Sequence, residues 1–303
     1  MKTQNGFTLL ENEKEFKQWL DKQHPTRKIN KLQVHHMALP DYSTWNGTDK
    51  RVYGDNRELG RTLALDSYGK QTWNSPDGYG HYIAQHINIF PNGKITTGRN
   101  LNSTPIGIYG WNTNAICVEV YGNFDKGHDI MTEEQKHAVI FVFALFADKF
   151  KLPKTATYIR PHAWFTSRGT YLGDYIVGKS RKTCPGTNFM GFGNSRKAFE
   201  NNFYPMLKEY KYGVSIGDPA PPIQDANKTI EDKKAYNVQA KVIGCTTLNV
   251  RATRPDSNGN LGKVKFVLKK DDIVTIGYSL DGWVSVYTDT DYGFVNKKYL
   301  EII

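Results

Sequence analysis

Three residues of the chain could together hold a metal ion: His35, His162 and Cys184. Two histidines and one thiolate are ligands that bind zinc in a tetrahedral arrangement. Three protein ligands leave the fourth position to water, as a hydrolytic zinc site requires, whereas a structural site usually has four protein ligands. The three residues lie far apart in the sequence, and a lone buried histidine is more often a core residue than a ligand. Their spacing alone leaves both interpretations open.

The first candidate ends a predicted strand. Lys31–His36 is a short apolar run that closes with two histidines and predicts a buried strand. Ala115–Tyr121 predicts another, in which Cys117 and Glu119 face the side opposite to that of their apolar neighbours. Glu119 then faces either the candidate site or solvent, and we expect the site.

Turn and capping signals organise the rest of this region. Asn92-Gly93 between Ile83–Phe90 and Lys94–Thr97 predicts a hairpin. Alternation of such strands with helices predicts an α/β domain, a central mixed sheet flanked by helices. The helices are predicted from the cap residue Asn12 to about Lys22, from the cap residue Thr132 to about Phe150, and over Ser195–Tyr210.

A proline-rich segment separates this region from the end of the chain. Pro219, Pro221 and Pro222 are followed by polar and charged residues without apolar periodicity, which indicates a linker. Only short strand-like runs follow it, a pattern typical of a small barrel. We therefore predict a domain over residues 1–212, a linker over 213–235 and a small all-β domain over 236–303.

Charge and cysteine content narrow the class of protein. With 40 Lys and Arg against 30 Asp and Glu, the net charge is +10, which favours an anionic partner: nucleic acid, an anionic membrane or a bacterial wall that carries teichoic acid. The lysines are spread out and no nucleic-acid-binding motif appears, so we expect no nucleic-acid partner.

The three widely spaced cysteines favour reduced thiols or one metal ligand over a disulfide framework. With no signal-like or membrane-length apolar run, we expect neither a signal peptide nor membrane insertion.

Residues 10–212 resemble the type 2 N-acetylmuramoyl-L-alanine amidases, a family that includes animal peptidoglycan recognition proteins and phage lysozyme-like amidases. The most specific match is the segment around Cys184, where a lysine stands two residues before a metal ligand that precedes Pro-Gly. The segments that carry the resemblance, in the order of the family, are Val34-His35-His36, Ala84-Gln85-His86, Asn92-Gly93-Lys94-Ile95, Gly98-Arg99, Ala115-Ile116-Cys117-Val118-Glu119 and Arg181-Lys182-Thr183-Cys184-Pro185-Gly186.

This resemblance implies roles for individual residues. It makes His35, His162 and Cys184 the ligands of Zn²⁺, with Glu119 and Lys182 beside the metal. A glutamate there can act first as general base and then as general acid. A lysine there can stabilise the oxyanion that forms on the attacked carbonyl group, although an ordinary surface lysine is the alternative for Lys182.

Two further segments each allow more than one interpretation. His86 is a candidate substrate-contacting or metal-supporting residue, or a packed one, and Gln85 stands where relatives often have a different residue. The segment 163–179 is longer than in many relatives, and we expect a loop over the cleft or a surface loop with its own small core. Trp45, Trp73 and Trp111 could likewise contact the glycan or stem peptide, or pack in a core.

Residues 236–303 resemble the bacterial SH3-like domains of cell-wall enzymes. The matching segments are Leu248-Asn249-Val250-Arg251, Gly282-Trp283-Val284-Ser285-Val286 and Tyr292-Gly293-Phe294-Val295. Tyr278, Trp283, Tyr287 and Tyr292 could line a groove for wall polymers or belong to the core.

The resemblances together imply an enzyme that cuts the amide between N-acetylmuramic acid and L-alanine in peptidoglycan. We expect a monomeric phage or prophage endolysin that stays in the host cytoplasm until release and then acts on peptidoglycan and its anionic wall polymers. The alternatives are a bacterial autolysin and a non-catalytic peptidoglycan-binding protein on the same fold.

Overall fold

The computed structural model describes residues 1–46, 56–213, 230–256, 258–288 and 291–303. The chain divides into two compact units, Met1–Gly213 and Val214–Ile303. Residues 214–229, the greater part of the predicted linker, lie outside the described residues. Within the described ranges, no helix combines the length and the apolar character needed to cross a membrane.

A seven-stranded mixed sheet forms the centre of the first unit. Its strand order is β1-β2-β5-β4-β6-β3-β7. Strand β3 runs parallel to both β6 and β7, and β4 runs parallel to β6, while the other pairs are antiparallel. The strands are β1 (Lys2–Gln4), β2 (Phe7–Leu10), β3 (Lys31–His36), β4 (Ile87–Ile89), β5 (Ile95–Thr97), β6 (Ala115–Val120) and β7 (Ile159–Pro161).

Helices cover this sheet. The longest, α4, begins after the cap residue Thr132, whose hydroxyl accepts a hydrogen bond from the Gln135 N–H. The Gln135 side chain donates to the carbonyl oxygens of Ile89 and Tyr121, which ties the first turn of α4 to the sheet. The helices are α1 (Glu13–Asp21), α2 (Tyr42–Asn46), α3 (Arg57–Thr72), α4 (Glu133–Lys149), α5 (Arg196–Ala198) and α6 (Tyr204–Glu209), with a π-helical turn at Phe199–Phe203. The predicted α/β fold with a mixed central sheet is confirmed.

Several elements differ from the sequence-based expectation. Strands β1 and β2 and helix α3 were not predicted, and the expected strand over Ile83–Phe90 shortens to β4. The strand is shorter because the backbone groups of the residues before β4 bond outside the sheet: the N–H of Ile83 donates to the Asp66 carboxylate of α3, and the Gln85 carbonyl oxygen accepts from the Arg99 N–H. The hairpin turn is present, with Gly93 in the left-handed region at φ 72°.

The second unit is a single antiparallel sheet with the strand order β10-β9-β13-β12-β11-β8-β14. All seven strands contribute apolar residues to one core, so the sheet must curl around that core. The predicted small all-β fold is confirmed and is consistent with an SH3-like barrel. The strands are β8 (Lys234–Val242), β9 (Thr247–Arg251), β10 (Val264–Lys269), β11 (Ile273–Leu280), β12 (Trp283–Tyr287), β13 (Tyr292–Asn296) and β14 (Leu300–Ile302).

Candidate metal centre

His35, His162 and Cys184 converge although they come from three separate parts of the chain. His35 lies at the end of β3, His162 directly follows β7, and Cys184 lies in the loop before α5. Their candidate ligand atoms all lie within 4.8 Å of one another, and Cys184 Sγ is 3.5 Å from His35 Nδ1. Tetrahedral bonding to zinc at its usual bond lengths separates a sulfur and a nitrogen ligand by about 3.5 Å. The donor set and its spacing therefore fit Zn²⁺.

Backbone hydrogen bonds hold the Cys184 loop against the sheet. The N–H of His36 donates to Cys184 Sγ at 3.3 Å, and the Cys184 carbonyl accepts from the Ala163 N–H at 2.7 Å. On either side of the cysteine, the hydroxyls of Thr183 and Thr187 donate to the Asp125 carboxylate. These contacts fix the position of the sulfur beside His35.

Burial keeps both histidines neutral. It lowers the pKa of His35 well below its ordinary value and that of His162 to about 4, and the positive charge of Lys182 adds to the effect at both residues. A neutral imidazole offers a lone pair for coordination, whereas a protonated one does not. Both side chains are therefore in the ligand form at neutral pH.

Glu119 lies beside the cluster on the neighbouring strand. The parallel register of β3 and β6 places it opposite His35, and its Oε1 is 3.8 Å from His35 Nδ1. Burial raises the pKa of Glu119 to about 8, and the charge of Lys182 opposes this rise. Because the side chain remains one-fifth exposed, the carboxyl group can exchange a proton with water beside the candidate ligands near neutral pH.

Lys182 is exposed at the edge of the same site. Its charge is close enough to act on both histidines, on Glu119 and on the Cys184 thiol. An exposed ammonium group beside these candidate ligands can stabilise an oxygen atom that becomes negative during a reaction.

Comparison with known proteins places this arrangement in a family. Residues 25–187, more than half of the chain, match the Amidase_2 family, described as N-acetylmuramoyl-L-alanine amidase. The chain belongs to this amidase family. A search of curated proteins finds no match.

Solved structures similar to the chain include bacterial and insect proteins. The amidase LysC from Clostridium intestinale is 19% identical, with 54% of this chain and 79% of that chain covered and a TM-score of 0.36. Drosophila PGRP-LB is 14% identical, with 54% and 78% covered and a TM-score of 0.36. Bumblebee PGRP-SA is 14% identical, with 61% and 92% covered and a TM-score of 0.39.

His86 lies outside the cluster formed by His35, His162 and Cys184. It is buried, its Nδ1 accepts a hydrogen bond from the Cys117 N–H at 3.0 Å, and its Nε2 lies 3.0 Å from the Ser103 carbonyl oxygen. Both ring nitrogens therefore have partners within the fold. The contacts support the packed interpretation of His86, and its predicted substrate or metal-supporting role stays a prediction.

Two residues next to the cluster were not recognised from the sequence. Gln33 and Cys117 are paired in the register of β3 and β6 and share a face of the sheet with His35 and Glu119. Cys117 Sγ lies within 4.8 Å of the candidate ligand atoms of His35 and Glu119, so this thiol belongs to the site and not only to the core. Alternation along β6 already placed Cys117 on the face of Glu119, and the same alternation along β3 was the signal that could have identified Gln33.

The segment 163–179 is partly buried in the core and partly exposed at the surface. Ala163, Trp164 and Phe165 are buried, and Phe165 forms an isolated β-bridge with Tyr171, whereas Val177 is strongly exposed. The expectation of a loop over the cleft or at the surface is therefore wrong for its first three residues, whose apolar side chains pack in the main core. Trp45 and Trp111 are also buried, while Trp73 is half exposed.

Proposed function

We propose that the chain is a zinc-dependent amidase that hydrolyses the amide between N-acetylmuramic acid and the first L-alanine of the peptidoglycan stem peptide. The observation that carries the proposal is the convergence of His35, His162 and Cys184 beside Glu119, in a chain of the N-acetylmuramoyl-L-alanine amidase family. These three residues would hold the metal, and Glu119 and Lys182 would act on the reacting groups.

Each neighbouring residue has a defined task in this reaction. Bound zinc would supply Lewis-acid chemistry at the scissile carbonyl group and at the attacking water. In its ionised form Glu119 would take a proton from that water, and as the resulting carboxylic acid it would give the proton to the leaving nitrogen. Its raised pKa, about 8, makes the carboxylic acid readily formed near neutral pH. Lys182 stabilises the negative charge that develops on the carbonyl oxygen.

The proposal is tested with Cys184→Ser, and Cys245→Ser is the matched control because Cys245 lies in the second unit. Zinc content, loss of turbidity of purified Gram-positive peptidoglycan and newly freed L-alanine amino termini are measured on the same samples. We expect wild type and the control to bind about one zinc and to release N-terminal alanine, as one three-ligand site implies. Cys184→Ser should do neither.

Other results would change the assignment. Release of other chain ends would show that a different bond is cut. Wall binding by wild type without any cleavage would favour the non-catalytic peptidoglycan-binding alternative.

We further propose that the second unit binds wall polymers. An aromatic cluster with nearby cations supports this: the rings of Tyr287 and Tyr292 stack, and the Lys265 ammonium, which also pairs with Asp291, lies 4.6 Å from the Tyr292 ring centroid. Arg254 packs against Phe294, with 4.5 Å between its guanidinium carbon and the ring centroid. Such surfaces suit sugars and anionic polymers.

Binding of the wall can be separated from catalysis by substituting Tyr292. Tyr292→Ala should weaken sedimentation with purified walls while cleavage of a soluble muropeptide stays unchanged. Leu261→Ala, at another exposed apolar residue of the same unit, is the control. Equal sedimentation of both variants and wild type would remove this cluster from the proposal.

We propose an endolysin of phage or prophage origin, monomeric and held in the host cytoplasm until release, as the biological setting. The three free cysteines fit a reducing compartment, and the pairing of an amidase with a small all-β unit fits a wall-lytic enzyme. Expression in a Gram-positive host should cause lysis only when a membrane-permeabilising holin is co-expressed. Lysis without holin would favour a secreted autolysin.

A further inference from the structure

We propose that Gln33 is a positioning residue that fixes which ring nitrogen of His35 binds the metal. Gln33 lies two residues before His35 on β3, so both side chains point to the same face of the sheet. The Gln33 side chain is fully buried, and its Oε1 is 3.3 Å from His35 Nε2. The inference rests on the zinc site of the proposed function.

The orientation of the Gln33 amide follows from its other partners. Its Nε2 lies 3.1 Å from the Trp111 carbonyl oxygen and 3.1 Å from Asn112 Oδ1. A backbone carbonyl oxygen can only accept a hydrogen bond, so the NH₂ end of the amide must face Trp111. The Oε1 end must then face His35.

This orientation determines the tautomer of His35. An amide oxygen can only accept, so His35 Nε2 must carry the hydrogen. In a neutral imidazole the other nitrogen, Nδ1, is then the one with a free lone pair. Nδ1 is also the atom that lies 3.5 Å from Cys184 Sγ and 3.8 Å from the Glu119 carboxylate. Gln33 therefore directs the lone pair of His35 towards the cluster.

Two neighbours keep Gln33 in place. Asn112 Oδ1 also accepts hydrogen bonds from the N–H groups of Gly107 and Ile108, which fixes the acceptor that Gln33 uses. A Cβ atom at Gly107 would lie 2.0 Å from Gln33 Oε1, so any side chain at this position would collide with the amide. The backbone of Gly107 lies outside the left-handed region, so its conformation does not require glycine. Glycine is needed there only because a side chain would have no space.

The test uses two variants and a matched control. Gln33→Leu removes the acceptor at similar volume, and Gly107→Ala displaces the amide without altering Gln33. Gln135→Leu is the control, because Gln135 is an equally buried glutamine whose side chain donates to backbone carbonyls of the sheet. Its loss should lower stability without affecting His35.

The first readout is long-range ¹H–¹⁵N NMR of the metal-free protein. Wild type and Gln135→Leu should show His35 as the Nε2–H tautomer, and Gln33→Leu and Gly107→Ala should show a mixture of tautomers. This readout needs neither zinc nor activity, so it tests the hydrogen bond even if the zinc site of the proposed function is wrong.

The second readout is the dissociation constant for zinc, measured by competition with a chelator. Removal of such a supporting partner typically weakens binding 10–100-fold, and we expect a loss of about this size in Gln33→Leu and Gly107→Ala only. An unchanged tautomer, or zinc binding within about twofold of wild type in a folded variant, would overturn the role of Gln33. If Gln33→Leu does not fold, Gly107→Ala decides the question. Absence of zinc binding in wild type would instead refute the metal site.

Discussion

Replacing Glu119 by Gln should make the metal-free protein more stable than wild type at pH 8 and should greatly reduce the proposed amide cleavage. Burial raises the pKa of this carboxyl group from 4.5 to about 8. A carboxyl group whose pKa is higher in the folded than in the unfolded state binds more protons when folded, so stability falls as the pH rises through this interval. Glutamine has the same shape and cannot ionise.

The size of the effect follows from the same values. Each unit of difference between the folded and unfolded pKa corresponds to about 1.4 kcal/mol. The free energy of unfolding of wild type therefore falls by at most about 5 kcal/mol between pH 4.5 and pH 8. Residual solvation lowers this figure, since one-fifth of the side chain is exposed. We expect a gain of a few kcal/mol in Glu119→Gln at pH 8 and little difference at pH 4.5.

The assay is urea unfolding of chelator-treated protein at several pH values, followed by tryptophan fluorescence. Five of the six tryptophans belong to the first unit, so the signal reports mainly on the unit that contains Glu119. Glu134→Gln, at an exposed glutamate of α4, is the control and should keep the wild-type pH dependence.

Activity of the same variant completes the test. Loss of a general acid or base typically costs about 10²–10⁴ in rate, and Glu119→Gln should lose alanine release by about this factor while it retains zinc. An unchanged pH dependence of stability would refute the burial argument. Normal cleavage by the zinc-loaded variant would remove Glu119 from the mechanism.

Three further substitutions separate the roles of residues at and near the site. Lys182→Met should reduce cleavage by about 10²–10³ with zinc retained, as for loss of an oxyanion-stabilising group; full activity in the muropeptide assay would contradict this. His86→Leu should cost about 1–3 kcal/mol of stability in urea unfolding, because the Cys117 N–H loses its acceptor, and zinc content should not change. Cys117→Ala should keep about one zinc by metal analysis, as expected when His35, His162 and Cys184 suffice; loss of zinc would make Cys117 a ligand.

Local signals explain which parts of the fold could be predicted. The capping residue Thr132 and the apolar run of β3 act within a few residues of themselves, so the sequence revealed them. Helix α3 was missed because the face that it buries carries polar residues. Thr62, for example, lies 2.6 Å from the Thr96 hydroxyl, a partner on β5 that helical periodicity does not reveal.

In the candidate site, too, features set by neighbouring residues could be predicted, whereas contacts between residues far apart in the sequence could not. Alternation along β6 indicated the face of Glu119, but no local pattern connects His35 with Cys184, which follows it by 149 positions. Only the resemblance to a family suggested that they meet. The orientation of Gln33 depends on Trp111 and Asn112, so it required the structure.

Register is the property that joins these observations. Parallel pairing of β3 with β6 sets Gln33 opposite Cys117 and His35 opposite Glu119. A slip of one residue in either strand would turn its side chains to the other face of the sheet and separate the carboxylate from the metal ligands. The neighbouring residue His36 points to the opposite face of the sheet, where its ring accepts a hydrogen bond from the Phe124 N–H. Its own backbone N–H donates to Cys184 Sγ. Both adjacent histidines thus contribute to the candidate metal centre: His35 offers a ligand atom of its side chain, and the backbone of His36 holds the sulfur of Cys184 in place.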